Sequence, residues 1–228
     1  MIKGARQYAV AEAGAKGRAA AAAALSGCRQ CPRLAAFRDE IKGRHPDYHC
    51  RPVPAFGDEE ARLIIVGLAP GLHGANATGR PFTGDYAGIL LYETLHRLGL
   101  ASKAQSVAIG DGLVLAGCRI TNAVKCVPPA NRPTADEIRT CAPYLNAELA
   151  ELPDGSVIMA LGRIAHEAVL RAFAVPLARH KFAHGARHVI GRQVLWDSYH
   201  CSRYNTQTKR LTEEMFVAVV RAALREVP

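Results

Sequence analysis

The stretch that most restricts the architecture is a short run of unbroken apolar residues that empties into glycine. In Arg62-Leu63-Ile64-Ile65-Val66-Gly67 no polar position follows Arg62, so both faces of the strand must be covered, as happens in parallel sheets overlaid by helices. The next residues, Ala69-Pro70-Gly71-Leu72-His73-Gly74, can continue neither a strand nor a helix and read as a turn. Arg119 to Val124, Ser156 to Leu161 and Gln193 to Ser198 repeat the strand pattern, and helical periodicity covers Ala87 to Leu98, Thr134 to Leu149, Arg163 to Phe173 and Leu211 to Arg225. Thr134 and Glu137 have the spacing of a capping box. Upstream lie an Ala-rich basic helix over 1–27, a second helix ending near Lys42, and a Pro46 to Gly57 loop with three prolines. Alternating strands and helices predict an α/β chain: one domain over 1–228, a three-layer α/β/α sandwich with a central, mostly parallel four-stranded sheet. Its functional groups belong at the carboxyl ends of the strands.

Composition narrows the function classes. With 49% hydrophobic and 21% charged residues the chain is not globally disordered, and no apolar run reaches a bilayer-spanning length. The excess of 29 Lys and Arg over 20 Asp and Glu gives +9, which suits a polyanionic partner. Basic residues before the Ala19 to Ala24 run and Leu25-Ser26-Gly27-Cys28 imitate an export signal, but the apolar part is too short. The expectation is a cytoplasmic monomer without membrane contact, its seven cysteines not spent on disulfides. Cys28 and Cys31 form a Cys-x2-Cys pair, and Cys126 and Cys141 flank fourteen residues including Pro128-Pro129-Ala130-Asn131-Arg132-Pro133. Four converging thiolates fit either structural zinc or an iron–sulfur cluster. Cys50, Cys118 and Cys201 have no matching spacing and read as small core or loop residues. His180, His184 and His188 are four apart, but Gly185 interrupts any helix that could align them as a second metal site.

The loop Gly67 to Asp85 is dense in glycine and proline, as a backbone wrapping a planar ligand requires, and it carries neither a Walker nor a dinucleotide-binding pattern. In Gly67-Leu68-Ala69-Pro70-Gly71, Thr78-Gly79-Arg80-Pro81-Phe82-Thr83-Gly84-Asp85, Val124-Lys125-Cys126 with Pro128-Pro129, Ala160-Leu161-Gly162, and Ser198-Tyr199-His200 with Asn205-Thr206-Gln207-Thr208, the sequence resembles the family 5, or type b, uracil-DNA glycosylases. The resemblance runs from Cys28 to the last helix. It implies a [4Fe-4S] cluster on Cys28, Cys31, Cys126 and Cys141 in a structural role, and excision of uracil, with other deaminated bases as further substrates, from DNA.

That chemistry assigns roles. A flipped base needs a stacking platform and an edge reader; Phe82 fits the first and the amide of Asn122 the second, with Gly67, Ala69 and Gly71 supplying close backbone. Phe82 could instead anchor the core, and Asn122 could satisfy local backbone, leaving Asn131 as a competing reader. Leu68-Ala69 stands where relatives carry a polar residue, so the carboxylate opposing charge on the sugar must be Asp85, which could also cap the following helix. His200 can donate to the departing base, and Asn131 or His200 is the fallback for holding water. Arg203, Tyr204 and Asn205 resemble the segment that enters the duplex, although Cys201 replaces a proline there. No amine nucleophile is evident, so the expected enzyme is a monofunctional hydrolase. The rivals are a non-catalytic iron–sulfur or zinc module that binds nucleic acid, and a hydrolase of free nucleotides.

Overall fold

A computed structural model of the chain describes residues 15–228. The first fourteen positions of the predicted N-terminal helix therefore lie outside the described residues. Helices α1 (Ala15–Ser26) and α2 (Pro32–Arg44) come first, the latter opening on Pro32, whose missing N–H costs nothing in a first turn. Strands β1 (Phe56–Gly57) and β2 (Leu63–Gly67), the one-turn α3 (Ala75–Thr78), α4 (Tyr86–Arg97) and β3 (Cys118–Asn122) follow. Next come α5 (Ala135–Ala150), β4 (Val157–Leu161), α6 (Arg163–Ala172), β5 (Arg187–Ile190), β6 (Gln193–Ser198), α7 (Arg203–Gln207) and α8 (Glu213–Leu224). Among these described helices none is long and apolar enough to cross a membrane.

The sheet order is β1-β3-β2-β4-β6-β5. The four expected strands are β2, β3, β4 and β6, and they pair in parallel, with Gly67 opposite Asn122 and Leu161 opposite Ser198. The predicted count of four is corrected to six, because β1 and β5 add an antiparallel strand at each edge. Both escape a reading by apolar runs. The first spans two residues inside the proline-rich loop, and the second, Arg187-His188-Val189-Ile190, buries only its last residue.

Period two sorts the strand side chains into two layers. Leu63, Ile65, Ile120 and Met159 face one way and pack with Leu91 and Tyr92 of α4 and Phe216 of α8. Ile64, Val66, Ile158 and Ala160 face the other way, against Leu145 of α5 and Val169 of α6. All five positions of β2 and of β4 are buried, and each such aliphatic side chain contributes about 1.5–3 kcal/mol. A satellite cluster of Leu25, Leu34, Val124 and Tyr144 ties α1 and α2 to α5. The capping box at α5 forms as expected: Glu137 N–H donates to Thr134 Oγ1 at 3.2 Å, and Thr134 N–H to Glu137 Oε2 at 2.7 Å.

Candidate active site

The parallel strands deliver their functional groups to one rim. The long loop leaves β2 there, Asn122 ends β3, Gly162 follows β4, and His200 lies just past β6. Gly67 shows how closely they meet. A Cβ built on it would run into Asn122 Oδ1 and would lie 2.5 Å from Phe82 Cζ, so only glycine leaves room for both side chains. Phe82 is held at φ 55°, a left-handed backbone that non-glycine residues rarely adopt. Its carbonyl presses on Gly88, where no Cβ could fit. The Phe82 ring lies nearly parallel to that of His200, centroids 5.8 Å apart at 26°. Asn122 is 2% exposed, and its Oδ1 is buried without a hydrogen-bond partner among the described residues. A strand asparagine spent on local backbone would not leave that acceptor idle.

Asp85 caps a helix with one carboxylate oxygen and turns the other into the loop. Oδ1 caps α4, accepting from Gly88 N–H at 3.1 Å. Oδ2 lies in a cradle where a Cβ on Gly71 would stand 2.8 Å from it and one on Gly74 would collide with it. Burial raises the Asp85 carboxyl above its ordinary range, partly offset by the N–H groups of Gly88 and Ala87. Burial, and after it the Asp85 charge, push the Cys201 thiol up. Burial also holds the His200 ring down to about 4, so at neutral pH it is a neutral imidazole.

Other expected residues are placed differently. Ala69 packs on the apolar shell of the cysteines. Asn131 sits exposed in the short turn Pro129–Asn131 at φ 56°, and no contact among the described residues joins its side chain to Asp85 or His200. The Asn205 amide turns inward and donates to the His200 carbonyl at 2.8 Å. Arg203 and Tyr204 stay on the surface at the start of α7, Tyr204 70% exposed and the Arg203 guanidinium 6.0 Å from the ring of exposed Tyr86.

Several supporting residues escaped the sequence reading. Buried Arg80 bonds both oxygens of Asp111 and the Ser106 hydroxyl, and stacks over Phe56 at 4.5 Å. Thr83 shares a hydrogen with Ser106 at 2.6 Å, and Tyr92 donates to the Pro81 carbonyl at 2.8 Å. Together they brace the strained segment around Phe82. Fully buried Lys125 reaches Glu148 at 2.8 Å and Thr121 at 2.5 Å, anchoring the exit of β3. Nothing in Arg80 or Lys125 alone foretells burial, since such residues are mostly exposed unless paired.

Behind this rim, Cys28, Cys31, Cys126 and Cys141 line one cleft together with Arg38 and Tyr144. Burial pushes the thiols of Cys126 and Cys141 up to about 12 and about 11, so uncompensated thiolates would be costly there. Lys125 N–H points at Cys141 Sγ, 3.2 Å away. Arg38, 4% exposed, donates to the Cys28 carbonyl at 2.8 Å, while its Nε is buried without a partner. An orphaned guanidinium donor beside four sulfurs suits an anionic group bound by them. Cys50, Cys118 and Cys201 are buried elsewhere, as expected of core residues.

The chain was compared with known proteins. The sequence model of the uracil DNA glycosylase superfamily matches residues 54–224. The Type-5 uracil-DNA glycosylase of Thermus thermophilus is 52% identical over 207 residues, which cover 88% of this chain and 94% of that protein. The protein of the same description from Mycobacterium tuberculosis is 45% identical over 210 residues, 88% of this chain and 78% of its own. The one from Pyrobaculum aerophilum is 42% identical over 203 residues, 87% of this chain and 88% of its own.

Proposed function

Because the chain belongs to the uracil DNA glycosylase superfamily, we infer that it excises uracil from DNA by hydrolysing the N-glycosidic bond, and does so with the groups gathered at the strand ends. The observation that carries the mechanism is the gathering of Phe82, Asn122 and His200 at the strand ends, with Asp85 three residues beyond Phe82 on the same loop. We assign Phe82 to stack on the flipped base and the idle Asn122 Oδ1 to accept an N–H from its edge. As the bond from the sugar breaks, its electron pair leaves with the base and positive charge develops on the sugar. The Asp85 Oδ2 side opposes that charge and takes a proton from the water that adds to the sugar carbon. His200, neutral at physiological pH, donates a hydrogen bond to the base oxygen where negative charge collects, and keeps its own proton. No amine stands among these groups, which fits hydrolysis without strand cleavage. We further propose that the exposed Arg203, Tyr204 and Tyr86 face the duplex, and that the pocket accepts other deaminated bases besides uracil.

We also propose that Cys28, Cys31, Cys126 and Cys141 hold a [4Fe-4S] cluster. Their shared cleft and the unpaired Arg38 donor support this reading. When bound, such a cluster supplies a covalent tie between the α1–α2 segment and the insertion after β3, and hydrolysis asks no electron of it. Incubation of the purified protein with duplexes containing uracil, hypoxanthine or xanthine, followed by alkaline cleavage, tests the substrate range. Cleavage at uracil is expected. Absence of alkali-labile sites in every duplex would defeat the catalytic reading in favour of nucleic-acid binding alone.

A further inference from the structure

Beneath one wall of the site lies a cluster of ionisable groups that the mechanism does not use. Asp197, fully buried on β6, meets two imidazoles: His166 Nδ1 at 2.8 Å from Oδ1 and His188 Nε2 at 3.0 Å from Oδ2. The second nitrogen of His166, Nε2, lies 2.9 Å from the His180 carbonyl. A carbonyl oxygen only accepts, so Nε2 carries a hydrogen. If Asp197 Oδ1 accepts in the same way, Nδ1 carries one too, and the ring is then an imidazolium. These are hydrogen-bond lengths.

The pair also holds the backbone that carries His200. Asp197 stands three residues before it. His166 N–H donates to the Gly162 carbonyl at 3.1 Å, Gly162 N–H donates to the Ser198 carbonyl at 2.8 Å, and a Cβ on Gly162 would touch His200 Cβ at 3.6 Å. Gly185 N–H donates to the Asp197 carbonyl at 2.8 Å, and Tyr199 N–H to His184 Nδ1 at 3.2 Å. Two segments, the β4–α6 turn and the loop at residues 184–185, thus converge on residues 197–200.

We propose that His166 and Asp197 are positioning residues for His200: their buried ion pair fixes the end of β6 against the β4–α6 turn, and the fixing is lost when His166 gives up its proton. This rests on the reading of His200 as the donor to the base. The groups facing His166 are Asp197 on β6, His188 on β5, whose ring also meets that of His180, the His180 carbonyl, Glu167 on its own helix, and the ring of Phe182. Burial pulls the ring down, but the bonds to Asp197 and His180 and the Glu167 charge outweigh it, and the net direction is up. A raised value in the folded state means that the tie is complete below the ordinary histidine range near about 6.5 and is lost as pH rises through the higher folded value.

The test uses the full chain. Nitrogen-resolved NMR of the histidine rings is expected to show both His166 nitrogens protonated at pH 7, and wild-type single-turnover excision is expected to fall at the pH where that proton leaves. His166→Asn should slow excision by about tenfold or more through misplacement of His200, leave uracil-duplex affinity within about twofold, and lack the alkaline limb. A neutral single-tautomer ring at pH 7, a stoichiometric metal on these side chains, or an unchanged limb in His166→Asn would overturn the proposal. Should the variant fail to fold, the wild-type titration and pH profile decide. His200→Ala is the separate control: wild-type excision by that variant would remove the role of His200 itself, whereas its inactivity beside an unaltered His166→Asn limb would remove the positioning alone.

Discussion

Asp85 divides its two oxygens, one capping α4 and one facing the glycine cradle, and the division makes its roles separable. Asp85→Asn keeps the cap, since Asn caps about as well as Asp, and discards the charge. Excision in single turnover should slow by about a hundredfold, roughly 3 kcal/mol of transition-state stabilisation, with duplex binding little altered. A capping role alone would leave excision near wild type. Stability should move the opposite way. The folded carboxyl is raised above its unfolded value by burial, so the charged form subtracts from stability at neutral pH and the penalty fades as pH falls through the raised value. Thermal melts at neutral pH should therefore place Asp85→Asn at or above wild type. The same direction predicts that excision climbs as pH rises through the Asp85 value, while His200, held down near about 4, adds no limb around neutrality.

At the scale of elements, the loop between β2 and α4 is a strained segment braced from three sides. Phe82 keeps its left-handed backbone because its carbonyl fits over Gly88 and Arg80 locks the flank to Asp111. Gly88→Ala should consequently cost about 3 kcal/mol or more, an overpacking penalty at its upper range, and should weaken base binding along with stability. Denaturant unfolding and affinity for uracil-containing duplex check it. A cost below 1 kcal/mol would mean that the segment yields easily. The contrast with the four inner strands explains what the sequence makes legible. Unbroken apolar runs such as Leu63 to Val66 announce a strand covered on both faces, and Thr134 with Glu137 announces where α5 begins. Phe82, Asp85, Asn122 and His200 take their proposed roles from the family resemblance together with the base-excision chemistry, and each borders a strand end or a glycine turn. Arg80 and Lys125 were not legible, because their burial depends on Asp111 and Glu148, partners distant in sequence. The edge strands were hidden for a related reason: β5 is half exposed, and pairing rather than apolar pattern defines it.

For the whole molecule, the +9 balance predicts that duplex affinity falls steeply with salt, log affinity tracking log salt linearly. A flat response in a titration from low to physiological salt would point to free nucleotides as substrate. Protein prepared without oxygen should be brown and contain iron and inorganic sulfide, and Cys126→Ser should lose both, as metal analysis and visible absorbance will show. Colourless protein with stoichiometric zinc would reverse the cluster assignment. The cleft also carries a consequence for biogenesis. Cys28 and Cys31 leave the ribosome long before Cys126 and Cys141, and the wall bearing Cys126 takes shape only once β3 has paired with β2. Closing so long a loop is slow relative to local helix formation. On the proposed cluster assignment, the first two cysteines would wait, reduced and unclaimed, through much of synthesis, and delivery of iron would be timed by completion of the sheet rather than by emergence of the Cys-x2-Cys pair.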